Sequence, residues 1–233
     1  MSKILAIDTS TVAASAAILD DDNILGEEYT AYKLKHSEKL LPLIKHLLED
    51  VRLSLNDIDY FAVGSGPGSF TGLRIAASTV KAFAHAMDKP IVSVSSLFAC
   101  AENLKGMNDV ICIIFDAQRN DAYYNIFINK DNKLTPLYSD SIININDLVD
   151  KLEGYERVLF AGDGVNKYKD KIIERVSDKA IFADNYNLLP KASGVAKISK
   201  GYIEEDINIY CYDNYLPNYL RPSAAEEQRL KKK

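Results

Sequence analysis

The chain has 233 residues, 47% apolar and 26% charged, enough for a well-packed core in one large domain or two small ones. A net charge of −5 excludes a broad basic surface of the kind that grips nucleic-acid backbones; the basic run Arg229 to Lys233 reads as a solvated tail. No apolar run is long enough to span a membrane, and strand-like residues from Lys3 onward argue against a signal peptide. Cys100, Cys112 and Cys211, scattered and without CxxC or Cys/His spacing, point to reduced thiols in a cytosol and away from zinc.

Lys3 to Asp8 reads as a buried strand ending in an acid. Asp8-Thr9-Ser10-Thr11 is a polar turn, Ala14 to Leu19 a return strand, and Ile24 to Tyr32 a third strand. A helix follows Ser37, with Leu40, Leu41, Leu43, Ile44, Leu47, Leu48 and Val51 on an arc of roughly 160°, wider than one core contact requires. Pro42 predicts a kink or a late start there.

Tyr60 to Val63 is a short strand that enters Gly64-Ser-Gly-Pro-Gly-Ser-Phe-Thr-Gly-Leu-Arg74. Four glycines and a proline mean a sharply turned backbone lying close to something, and Ser69 and Thr71 are candidate caps for the helix Leu73 to Met87. The loop matches neither the P-loop, which needs a Lys after its last Gly, nor the dinucleotide fingerprint. The helix has two apolar faces: Leu73, Ala77, Val80, Ala84 and Met87, and a smaller one of Ile75, Ala82 and Ala86. Two helices with more apolar surface than one sheet covers point to a partner interface, with burial under the second half of the chain as the other reading.

Pro90 introduces the strand Ile91 to Val94, and Ser95 or Ser96 caps a short helix running to Lys105. Val110 to Asp116 is again an apolar strand ending in an acid; it turns through Ala117 to Asp121 and returns from Tyr123 to Ile128. This echo of the opening predicts a duplication with a boundary near Gly106 to Asp109. Ile142 to Leu152 holds a short strand and helix, Val158 to Ala161 a strand entering Gly162-Asp163-Gly164, and Val195 to Ile203 a helix. Pro217 to Pro222 is extended.

A duplicated β-β-β-α-β-α half with an acid closing its first strand resembles the actin/Hsp70/sugar-kinase (ASKHA) superfamily. More narrowly, the opening Ile4 to Thr11, His36-Ser37-Glu38, the block Gly66 to Ile75, Asp116-Ala-Gln-Arg119, Gly162-Asp163-Gly164 and Tyr219-Leu220-Arg221 together resemble the TsaB (YeaZ) family, accessory subunits in making threonylcarbamoyladenosine in tRNA. Ala76 and Gln118 depart from the pattern, where Gly and Arg are usual.

The resemblance implies an α/β fold of two tandem actin-like, RNase H-like halves, 1–107 and a degenerate 108–215, followed by an extended segment and tail, 216–233. It implies a cytoplasmic, non-catalytic subunit without a cofactor or metal, pairing with the catalytic subunit TsaD and joined by the ATPase TsaE. Alone it would form a homodimer, and tRNA would be met mainly through the complex. The interface it implies comprises Leu40, Leu41, Ile44, Leu47, Leu48, Thr71, Arg74, Ile75, Ser78, Thr79, Ala82 and Ala86. A vestigial nucleotide site would comprise Asp8, Thr9, Ser10, Thr11, Asp116, Gly162 and Gly164.

The residues bear on this separately. His36, His46 and His85 include no pair four apart, so the His-x-x-x-His metal site of the catalytic sister subunit is missing. Asp116-Ala117-Gln118 lacks the glycine of a working second phosphate loop. Two other readings stand at this point: a small-molecule ATPase or kinase using Asp8 and Thr9 to Thr11, and an RNase H-like nuclease, which needs a further acid where Gly64 stands.

Overall fold

The computed structural model describes residues 2–32, 36–131 and 133–222; the Arg229 to Lys233 run lies outside the described residues. The first half contains β1 (Lys3–Asp8), β2 (Ala14–Asp20), β3 (Asn23–Thr30), α1 (His36–Asp50), β4 (Tyr60–Gly64), α2 (Phe70–Met87), β5 (Ile91–Val94) and α3 (Ser96–Glu102). Then come β6 (Val110–Asp116), β7 (Asp121–Lys130), β8 (Lys133–Pro136), β9 (Ser141–Asn144), α4 (Ile145–Asp150), β10 (Val158–Ala161), α5 (Val165–Val176), β11 (Ala180–Phe182), α6 (Ala192–Glu204) and β12 (Ile209–Tyr210).

The strands form two sheets, ordered β12-β5-β4-β1-β2-β3 and β11-β10-β6-β7-β8, with β9 also paired to β7. Five strands of each match position for position, β3-β2-β1-β4-β5 against β8-β7-β6-β10-β11, so the duplication read from the two acid-ended strands is real. In both halves the first strand pairs antiparallel with the second and parallel with the strand after the first crossover.

Both sheets are buried on both faces, which is why β1 and β6 are continuous apolar runs. Side chains alternate across β1. Leu5 and Ile7 join α1 and α2 in one core, while Ile4 and Ala6 join Val195, Ala196 and Ile198 of α6 in another. In the second half, Cys112 and Ile114 pack with α4 and α5, and Ile111, Ile113 and Phe115 pack with Leu97, Cys100 and Ala101 of α3. The closing helix of each half thus lies on the other half's sheet. Within the second half, α6 packs on the first sheet and β12 pairs with β5. An amphipathic helix seeks any complementary sheet, and sequence order alone does not say which.

Several boundaries differ from expectation. α1 starts at His36 and continues through Pro42, so the late start expected from that proline is not seen. Pro42 lies on the exposed side of the helix, away from the core. α2 begins at Phe70, three residues early, because the Ser69 hydroxyl caps it by accepting the Gly72 N–H at 3.3 Å. β8, α5, β11 and β12 had not been anticipated.

The exchanged helices α3 and α6 touch, and Gly194 is what lets them. A Cβ there would stand 2.4 Å from the Ala99 carbonyl oxygen. Gly194→Ala should therefore lose about 1–3 kcal/mol in urea unfolding, despite alanine's better helix propensity. A gain of about 1 kcal/mol would show that the helices are not closely seated.

Candidate functional site

A cleft of about 560 Å³ separates the halves. Its walls are the two acid-ended turns, the start of α2 and the chain from Asn218 to Pro222. Of the first-half residues proposed for a nucleotide remnant, Ser10 and Thr11 line it and Asp8 does not.

Asp8 is 1% exposed and its carboxylate is engaged inside the protein. One oxygen accepts the Ser10 N–H at 2.9 Å and the Ser10 hydroxyl at 2.7 Å; the other accepts the Ser96 hydroxyl at 2.8 Å. Burial pushes its pKa above the usual carboxylate value, and the serine bonds only partly offset that. A Cβ at position 64 would sit 1.8 Å from the Asp8 carboxylate, so there is no room for the second acid a two-metal nuclease needs.

The glycine loop closes over this turn. Ser69 N–H donates to the Ser10 carbonyl at 2.7 Å, and the Thr9 hydroxyl donates to the Gly72 carbonyl at 2.8 Å. A Cβ on Gly72 would stand 1.9 Å from the Thr9 oxygen. The loop's glycines thus serve contact with the chain's own first turn. His36 Nε2 completes the wall, 3.0 Å from the Thr11 carbonyl.

The equivalent acid of the second half has the opposite setting. Asp116 faces the cleft and accepts from Lys167 Nζ at 2.7 Å, Gln118 N–H at 2.8 Å and the Tyr168 hydroxyl at 3.2 Å. Partial burial would raise its pKa, but these donors outweigh it and hold the carboxyl low. Gln118, Arg119 and Asn120 all have positive φ, a left-handed turn made without the glycine of a phosphate loop.

Gly162 and Gly164 lie behind this turn. Gly164 N–H donates to the Ile114 carbonyl at 3.1 Å and Gly162 N–H to the Leu188 carbonyl at 2.7 Å. Between them, Asp163 enters the cleft and accepts the Asp116 N–H at 3.0 Å. Burial, and then the Asp116 charge, push the Asp163 carboxyl from 3.8 up to about 6.

Sequence reading missed Lys167 and Tyr168, which carried no motif, took Ser96 only as a candidate cap and not as the partner of Asp8, and did not foresee the placement of Arg221. Arg221 had been singled out only within Tyr219-Leu220-Arg221. It reaches across to the second half, donating to the Ala117 carbonyl and, at 2.7 Å, to the Asp121 carboxylate.

A second concavity, of similar volume, runs between α1 and α2. Leu41, Thr71, Arg74, Ile75, Ser78 and Thr79 line it. Leu41 is 52% exposed, and Ala82 and Ala86 continue the same face in the open. The other residues of α1 expected at the interface face inward in this chain. Leu40, Ile44, Leu47 and Leu48 are 1–8% exposed and pack in the first half's own core with Ile18 and Val80. Their wide arc is consumed by the sheet and α2, although Leu40 still touches the floor of the groove.

Among the described residues, Glu28, His46 and Asp50 form the one group spaced to hold a metal ion. They lie outside the cleft and bond to each other, His46 Nδ1 with Glu28 at 2.8 Å. No described helix is long and apolar enough to cross a membrane.

Two predictions follow from these carboxylates. Asp8→Ala orphans buried donors and should cost about 3 kcal/mol or more, while Asp8→Asn keeps an acceptor and should cost distinctly less; urea unfolding reads both. Asp163 holds its proton more tightly when folded than when unfolded. It therefore favours folding at low pH, an advantage lost as pH rises from 3.8 through about 6. Asp163→Asn should match the parent near pH 4 and be more stable at pH 7.5, by up to about 3 kcal/mol. Equal pH profiles would show that Asp163 ionises freely.

The family model described as TsaD: tRNA N6-adenosine threonylcarbamoyltransferase matches residues 24–229. A Bacillus subtilis protein, tRNA threonylcarbamoyladenosine biosynthesis protein TsaB, is 32% identical over 224 residues, which is 96% of this chain and 96% of that protein. Among solved structures, YeaZ from Pseudomonas aeruginosa superposes with a TM-score of 0.81 at 26% identity, covering 94% of this chain and all of that one. An inorganic polyphosphate/ATP-glucomannokinase from Arthrobacter sp. strain KM, at 10% identity and a TM-score of 0.50, covers 88% of this chain and all of that one and shares the fold alone. Sequence, duplicated sheet order and structural neighbours agree: the chain belongs to the TsaB (YeaZ) family.

Proposed function

We propose that the chain is a non-catalytic subunit in the formation of threonylcarbamoyladenosine in tRNA, binding the catalytic subunit TsaD through the exposed α1–α2 face, with the ATPase TsaE as a further member. The observation that carries this reading is the groove lined by Leu41, Ile75 and Ser78 and continued by Ala82 and Ala86. It is mostly apolar and open, and Ser78, Ala82 and Ala86 keep one side of it low, which suits close approach of a partner helix. The same face would serve a homodimer when the partner is absent.

The absence of independent activity rests on the cleft. A kinase of this fold needs its first acid directed at a phosphate-bound metal. Here Asp8 is committed to Ser10 and Ser96. The alternative, an ATP-dependent kinase or ATPase, would need that carboxylate to turn outward and lose three hydrogen bonds. Halves 1–107 and 108–215 then serve as a scaffold, with residues 192–210 binding the second half to the first.

The test is binding and omission together. Ala82→Glu and Leu41→Glu should each weaken binding to TsaD at least about ten-fold, because a carboxylate would be buried in an apolar contact, while unfolding midpoints stay near the parent's. Leu47→Glu is unsuitable, since it would enter the protein's own core. Reconstituted modification of tRNA from threonylcarbamoyl-adenylate should require this chain and tolerate Asp8→Asn. Undiminished TsaD binding by both variants would overturn the interface; loss of turnover in a folded Asp8→Asn protein would overturn the scaffold reading.

A further inference from the structure

The chain after β12 runs back along α2 and then across the cleft. On the first half, Lys81 Nζ donates to the Tyr215 carbonyl at 3.0 Å and Asn218 N–H to the Ser65 carbonyl at 2.8 Å. The Tyr219 ring packs on Phe70 with centroids 4.7 Å apart, and the Arg74 guanidinium covers the same Phe70 ring at 4.1 Å. Two residues later, Arg221 is bonded to Ala117 and Asp121 of the second half. Asn218 to Pro222 form part of the cleft wall.

From this we propose that residues 217–222 are a strap that spans the cleft and fixes the angle between the two halves, with Arg221 as its latch. Two features carry the inference. Arg221 is part-buried, with a side chain 21% exposed, and its charge is spent on one carboxylate and one carbonyl of a single turn. That turn is the left-handed stretch 118–120, which occupies the place of a second phosphate loop. The guanidinium therefore braces the wall that a nucleotide would have to contact. Actin-like halves joined at their base otherwise move by hinging, and a hinge is arrested most effectively by a tie across its opening. The strap does not depend on which partner the chain serves.

The experiment uses the full chain with Cys211→Ser, because Cys211 is the exposed thiol while Cys100 and Cys112 are buried. Spin labels on Asn56→Cys and Lys171→Cys, both exposed and one in each half, report the distance between halves; dilution with unlabelled protein removes distances between copies. Arg221→Ala should broaden the distribution or lengthen its mean by about 3 Å or more, and speed amide exchange in 116–121 about ten-fold while β1 and β6 stay protected. A chain ending at Leu216 should go at least as far, and one ending at Pro222 should behave as the parent. An unchanged distance distribution in Arg221→Ala overturns the strap, even if local exchange in 116–121 rises. A change equally large in the chain ending at Pro222 also overturns it, by placing the tie beyond the strap.

Discussion

The molecule depends on how it satisfies one buried carboxylate. Asp8 sits at the end of the central strand with no water in reach, where an unpaired charge would cost several kcal/mol. It is met by Ser10 from its own turn and Ser96 from the start of α3. That requirement fixes the turn 8–11, forbids a side chain at position 64 and seats the first residue of α3 against β1. The neighbouring serine repeats the device toward the other half. Ser95 caps α3 by accepting the Phe98 N–H, and its hydroxyl donates to Asp140 at 2.6 Å. Adjacent hydroxyls on one short helix thus bind carboxylates of both halves, and α3 is the joint on which the duplication turns.

Much of this was legible in the sequence. Two apolar strands each ending in an acid, each followed by a polar turn and a return strand, are a local pattern, and local patterns survive folding. The glycine block was legible for the same reason, since only close backbone contact calls for glycines at 64, 68 and 72 together. Illegible was whatever depends on distant pairing. Nothing in Ala192 to Glu204 says that α6 packs on β1 and β2, nearly two hundred residues upstream. α5 did carry a helical signal in Val165, Tyr168, Ile172 and Val176, but dense charge between those positions hid it. On α1 a wide apolar arc was read as surplus surface. A helix wedged between a sheet and a second helix needs an arc of that width, and Leu41 is the large side chain it leaves in the open.

Small residues outside and large ones inside give the first half its division of labour. α2 turns Leu73, Ala77, Val80 and Ala84 to the sheet and leaves Ser78, Ala82 and Ala86 to solvent. A surface of short side chains contributes little transfer energy by itself, but loses little rotamer entropy on association and lets backbones come close. Such a face costs little to leave exposed and little to cover.

The two strand-end acids show how a duplicated site can lose symmetry without losing its residues. Asp8 and Asp116 occupy equivalent positions in equivalent strands. Asp8 has been drawn inward, its pKa raised by burial, and serves as an internal acceptor. Asp116 remains at the cleft, held ionised by Lys167 and Tyr168, with a raised Asp163 beside it. A phosphate-bound metal between the halves would need both acids to face it as anions. With Asp8 turned into the core and Asp116 paired to Lys167, the two equivalent acids do not face each other across the cleft.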